Sequence, residues 1–189
     1  SAATAACQAI DRRVPVQRVS LKALQERLRA DGQILEWKGG VNTVALLAPK
    51  SFPGIALDDK DGVKTGEWIP SSIPGGRLIG TGYLHDGNAN KGKLAIAYTP
   101  NLPLAGEYQI ILFASPNPNR ATNAPVTITV AGGDTYRLRV NQRDPAPEGA
   151  LNLGRFHLPA GSNTTVTLSN ADTDGHVIAD GIQFLPIKP

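Results

Sequence analysis

The chain of 189 residues has no methionine and a single cysteine, Cys7. One cysteine excludes an intrachain disulfide and a cysteine-based metal cluster, and it fits either redox compartment. With no methionine even at position 1, the chain is expected to be a processed or excised piece that lacks any signal peptide its parent carried. Aromatic residues are scarce, at 5%. A nucleic-acid binder needs a basic face interleaved with stacking platforms, so no nucleic-acid partner is expected. No apolar run is long enough to span a bilayer, which excludes a transmembrane helix. Charged residues make up only 19%, too few for a coiled coil or a disordered polyelectrolyte.

Apolar residues, at 41%, are enough for a packed core, and 20 glycines and 15 prolines are scattered along the chain. That scatter predicts many turns between short strands. The net charge of +3 is local: residues 1–40 hold seven Lys/Arg against four Asp/Glu, and the remainder holds twelve of each.

Two textures divide the chain. Ala2–Ile10 is rich in helix formers, and Pro15 interrupts the pattern. Ser20 is placed as an N-cap for a second helix with Leu21, Leu24 and Leu28 on one stripe, ending at Asp31-Gly32. Alone such a helix is marginal, so it needs a surface to pack on. From Val41 the texture is β. Strands are predicted over 78–84, 94–99, 107–114, 126–131, 135–141, 151–158, 164–169 and 177–185, with a hairpin loop at Gly132-Gly133-Asp134. About eight short strands with no helices between them predict an all-β fold: an antiparallel, jelly-roll-like β-sandwich behind a short α-helical N-terminal segment. The boundaries read as 1–40 helical, 41–51 linker or edge strand, and 52–189 sandwich.

No catalytic fingerprint stands in the chain. The nucleophile-elbow motif is absent, and Gly80-Thr81-Gly82 runs on into β texture rather than a helix, so it is no dinucleotide loop. His85 and Asp86 are adjacent on an extended segment and point to opposite faces. For a metal, two acidic loops are candidates: Asp58, Asp59 and Asp61, and Asp172 with Asp174 in Asn170–Gly175. Calcium takes six to eight oxygens, which such loops supply. However, the second loop has Gly181 where an EF-hand has its glutamate, and the alternative is a pair of turns whose side chains satisfy backbone amides.

Sugar binding needs an aromatic face and fixed polar groups. Trp68 and Tyr83 are the candidate platforms. Asp59, Asp86, Arg120 and Asn123 are candidates for fixing hydroxyls, the last two on a stiff loop with three prolines. Asp180 lies within an apolar strand and requires a partner there, for which Arg120 is the candidate. The alternative is that Arg120 and Asp180 only staple the loop to the sheet and that Trp68 belongs to the core.

In order along the chain stand Leu57-Asp58-Asp59, Gly66-Glu67-Trp68, Gly82-Tyr83-Leu84-His85-Asp86, Ala105-Gly106-Glu107-Tyr108, Asn119–Val126, Val140-Asn141-Gln142 and Thr173-Asp174-Gly175 through Asp180. This series resembles the golvesin C-terminal domain, also described as a xanthan-lyase carbohydrate-binding-like domain, over residues 52–186. The helical segment resembles the end of an FAD-dependent oxidoreductase domain, after which such a module can follow.

The resemblances imply a non-catalytic accessory sandwich with polysaccharide and its own catalytic domain as partners. They imply an extracellular or periplasmic location, and FAD only in the parent domain outside this chain. A structural packing module without ligand, and a hydrolase or lyase in its own right, are the alternatives. The latter needs a Ser or His against a base in a cleft.

Overall fold

The computed structural model describes residues 2–33, 35, 45–72, 77–143 and 149–187. The chain divides into two compact units, Ser1–Val41 and Asn42–Pro189. The first holds α1 (Ala2–Arg12), a 3-10 turn (Val16–Arg18) and α2 (Leu21–Ala30). Ser20 caps α2 as expected, its hydroxyl accepting from the Ala23 amide at 3.4 Å, and the chain leaves the helix through Asp31 and Gly32. Ala9 and Leu28 are buried within the unit, whereas Leu21 is 68% exposed. The leucine stripe is therefore only partly covered.

The second unit is built of short strands. β1 (Ala45–Leu47), β2 (Ile55–Asp58), β3 (Val63–Thr65), β4 (Ile69–Ser71), β5 (Arg77–Ile79), β6 (Tyr83–His85) and β7 (Ala95–Tyr98) come first. β8 (Gly106–Phe113), β9 (Ala124–Val130), β10 (Thr135–Val140), β11 (Ala150–Leu158), β12 (Thr164–Ser169), β13 (Ile178–Ala179) and β14 (Gly181–Pro186) follow. Two antiparallel sheets form the layers, in the orders β10-β9-β12-β7-β3 and β11-β8-β14-β2. A small sheet β13-β6-β4 and a pair β1-β5 complete the unit. The β1-β5 pair is parallel and lies outside the two antiparallel sheets of the expected sandwich.

The core follows from period-2 alternation. Val126, Ile128, Val166, Leu168, Ile96 and Tyr98 point inward from one layer, and Tyr108, Ile110, Leu112, Ile182 and Phe184 come from the other, in one continuous cluster. The β9–β10 hairpin turns at Gly132-Gly133 and pairs Thr129 with Thr135, as its sequence predicts.

Two predicted strands are broken. The run 78–84 splits at Gly80–Gly82 into β5 and β6, which belong to different sheets. Gly80 has φ +74 and lies against the Asp58 carboxylate, where any side chain would collide. The run 177–185 splits at Asp180 into β13 and β14, again in different sheets.

Candidate functional site

Three groups of polar residues lie at the margins of the sandwich. The first is a buried hub between the 86–91, 119–123 and 170–177 loops. Asp86 accepts from the amides of Asn88 (2.9 Å) and Val177 (3.0 Å), from Asn170 Nδ2 (3.2 Å) and from Lys91 Nζ (2.9 Å). Burial alone would raise its pKa, but these donors pull it below the usual carboxylate range. Lys91 Nζ also donates to Thr173 Oγ1 and to the Gly175 carbonyl, both at 2.7 Å. The ammonium thus sits in a cage of oxygens from the very loop that resembles a cation-binding turn.

Around the hub, Arg120 is buried, with every donor group engaged. Its Nε donates to the Ser115 carbonyl (3.0 Å), Nη1 to Asn119 Oδ1 (2.9 Å) and Nη2 to the Tyr83 hydroxyl (3.3 Å). Its guanidinium lies 5.7 Å from the centroid of the Tyr83 ring. Two expectations change here. Arg120 does not pair with Asp180, because both are satisfied elsewhere. Tyr83, only 3% exposed and covered by Arg120, is no open stacking platform.

Asn123 also works internally. It donates through Nδ2 to the Asp172 carbonyl (2.9 Å), and its Oδ1 accepts from the Asp174 amide (3.0 Å). Asp174 accepts from the amide and the hydroxyl of Thr122 (2.7 and 2.6 Å). Arg120, Asn123 and Asp86 are thus framework residues, and the staple alternative describes them.

His176 brings its ring to 5.9 Å from that of His85, edge to face. Burial, then the neighbouring His176 and Arg120, lower the His85 pKa. His85 Nδ1 accepts from the Gly87 amide at 3.1 Å. Neither histidine stands beside a nucleophile in these contacts.

The second group is acidic. Asp58 is buried, with its carboxylate accepting from the Asp59 amide (2.9 Å) and from Lys60 Nζ (3.0 Å). Asp61 accepts from the Asp58 amide at 2.9 Å, which closes a capping box around the 3-10 turn Asp59–Asp61. Asp180 is fully buried and accepts from the Ile79 amide at 3.1 and 3.2 Å. Burial first, then the Asp58 and Asp59 charges, push its pKa up to about 8. Burial and Asp58 likewise push Asp59 up to about 6. Asp58, Asp59, Lys60, Ser71, Thr81 and Tyr83 line a small polar pocket of about 370 Å³. Among the described residues, no three His, Cys, Asp or Glu side chains are grouped to hold a metal ion. Of the five aspartates singled out for calcium, Asp58 and Asp61 close the capping box and Asp174 holds Thr122.

The third group is a cleft of about 840 Å³ whose walls include Trp68, Ile69, Pro70, Lys64, Glu67 and Asn90. Trp68 is half-buried. Its Nε1–H donates to the Thr65 and Ala95 carbonyls, each at 3.2 Å, which fixes the plane of the indole. Ile69 is 47% exposed beside it. A fixed aromatic ring in an open, partly apolar cleft with an ammonium, a carboxylate and an amide near it can carry a sugar ring and its hydroxyls.

Lys91 escaped the sequence reading, and Asn170 and Gln142 entered it only as members of motifs, without a role. Gln142 holds Ile178 by a pair of 2.8 Å bonds, from its Nε2 to the carbonyl and from the amide to its Oε1. No local pattern assigns their roles, since apart from the Lys91–Asp86 pair the contacts named here join residues more than 30 positions apart.

Residues 55–186 match the golvesin C-terminal domain family. A xanthan lyase from Bacillus sp. strain GL1 is 35% identical over 144 residues, which cover 72% of this chain and 15% of the lyase. The solved structure of a Paenibacillus xanthan lyase matches with a TM-score of 0.65 at 32% identity, over 70% of this chain and 13% of the lyase. A GH26-CBM35 β-(1,4)-mannanase from Podospora anserina shares the fold, with a TM-score of 0.50 at 16% identity over 71% of this chain and 28% of that one. The chain spans no more than 15% of the length of either xanthan lyase.

Proposed function

The chain belongs to the golvesin C-terminal domain family, and on that premise we propose that it is a non-catalytic accessory sandwich that binds polysaccharide. The observation that carries the reading is Trp68: a partly buried indole that packs on one side against the core, its plane fixed by two carbonyls, in the wall of the largest of the clefts described above. Family membership supports it, because the matched relatives are named for action on a polysaccharide, xanthan, and this chain corresponds to a small part of each. In this reading the parent is a larger secreted enzyme, an FAD-dependent oxidoreductase whose last helices are residues 1–40, and the module holds that enzyme on its substrate. No cofactor belongs to the module. Lys91 Nζ, on Thr173 Oγ1 and the Gly175 carbonyl, supports a loop that is held without calcium.

The test is a glycan array with affinity electrophoresis on the full chain, in calcium and in chelator. Binding to one polysaccharide class, insensitive to chelator and lost in Trp68→Ala with an unchanged unfolding midpoint, is the expected result. Absence of binding to every glycan would leave the second reading, a packing module, which the internal saturation of Arg120, Asn123 and Asp86 favours.

A further inference from the structure

The face of the five-stranded sheet turned away from the core has an unusual composition. Register and burial alternation place Thr135, Arg137 and Arg139 of β10 on it, with Pro125, Thr127 and Thr129 of β9. Thr165, Thr167 and Ser169 of β12 continue the face, followed by Ala95 and Ala97 of β7 and Val63 and Thr65 of β3. No Asp or Glu stands among these side chains. The face is therefore rich in hydroxyls, and among the described residues placed on it the charges are two arginines on one edge strand.

Those two arginines differ. Arg139 donates through Nη1 to the Asn123 carbonyl at 3.0 Å, which fixes its position. Arg137 is exposed and, among the described residues, has no hydrogen-bond or ion-pair partner, although acidic side chains occur elsewhere on this unit. The two are same-face neighbours about 7 Å apart along the strand. Between them and β9 lies a shallow groove of about 290 Å³ lined by Pro125, Thr127, Arg137, Leu138 and Arg139. A guanidinium with its donors unspent matches a carboxylate with two parallel hydrogen bonds. A nucleic acid would require stacking aromatics or a denser row of cations, and this face has neither.

We propose that this face is a subsite for the carboxylates of an acidic polysaccharide, distinct from the Trp68 cleft. Arg137 takes the carboxylate, and the threonine hydroxyls of β9 and β12 take the sugar hydroxyls. The inference deepens the glycan-binding reading and rests on it. The competing explanation is that Arg137 and Arg139 guard an edge strand against pairing with another molecule. The two explanations separate on substitution by lysine, which keeps the charge that guards an edge but loses the two-pronged match to a carboxylate.

The experiment is native affinity electrophoresis of the full chain in gels containing xanthan, alginate or polygalacturonate, each beside its carboxyl-reduced counterpart. The parent chain, Arg137→Gln, Arg137→Lys and Trp68→Ala are run together, with size-exclusion chromatography of each. The expected result is retardation by at least one acidic polymer, with affinity about tenfold weaker for the reduced form. Arg137→Gln loses the same factor on the acidic polymer and nothing on the reduced one, and Arg137→Lys recovers only part of it. Equal retardation by the acidic and reduced forms overturns the proposal while leaving glycan binding intact. Self-association of Arg137→Gln with unchanged retardation also overturns it, in favour of the edge guard. Failure of every polymer to retard the parent chain overturns the glycan-binding reading itself, and this subsite with it.

Discussion

Asp180 illustrates how a single side chain is set by distant neighbours. Its folded pKa is pushed up to about 8 from the ordinary 3.8, because it is buried near Asp58 and Asp59. Between those values the folded carboxyl keeps a proton that the unfolded chain has released. Raising the pH therefore favours unfolding through this window, and the loss levels off above about 8. Asp59, with a pKa of about 6, adds to the slope in the lower part of the window. We predict that the unfolding midpoint of the sandwich falls as pH rises from 4 to 8. Asp180→Asn should keep an acceptor for the Ile79 amide and flatten the slope between 6 and 8. A variant with the parent's pH profile would contradict the assignment. Lys91 is a second such case. Lys91→Met leaves the fully buried Asp86 side chain without its cation, and an expected loss of about 2–3 kcal/mol follows once partial exposure of the lysine is allowed for. Urea titration measures it, and Lys91→Met with Asp86→Asn should recover part of the loss.

At the scale of elements, β14 is the point of greatest constraint. It pairs with β8 on one side and β2 on the other, and its first four residues are all buried. Gly181 opens it because a Cβ there would stand 2.5 Å from the Leu57 carbonyl and 2.8 Å from Ile79 Cδ1. Gly181→Ala is expected to push β14 from β2 and cost about 3 kcal/mol, read by chemical denaturation. An unchanged midpoint would show that the two strands can separate without loss. The loops obey a different rule. The 170–177 loop carries few apolar side chains and is held by Lys91, Asn123 and Thr122, so its amides should lose hydrogen-exchange protection in Lys91→Met before the sheets do.

For the whole molecule, the core cluster of the sandwich lies entirely between Ile55 and Phe184. Residues 42–189 produced alone are therefore expected to unfold in one transition with the midpoint that the same transition has in the full chain. Loss of cooperativity in the shorter chain would show that the helical unit supplies stability. The same reasoning locates function at the margins. Among the described residues, the sandwich offers a ligand the Trp68 cleft, the small acidic pocket and the outer face of the five-stranded sheet.

Local patterns in the sequence were sufficient for the fold class, the Ser20 cap, the Gly132-Gly133 hairpin and the long strands β8, β9, β10, β11 and β12. Period-2 alternation and turn chemistry act between near neighbours, so they can be read along the chain. The same patterns passed over β2, β3 and β4, which are three or four residues long and paired to strands far away. They also joined β5 to β6 and β13 to β14. Trp68 was legible as a candidate because an aromatic residue among turns stands out. Tyr83 stood out equally and is buried, because tertiary packing places it in the core cluster with Arg120 against its ring. Amino-acid types state which interactions are available. Which lysine fills which cage of oxygens, and which arginine is left without a partner, depends on residues many tens of positions apart, and those meet only when the sheets close.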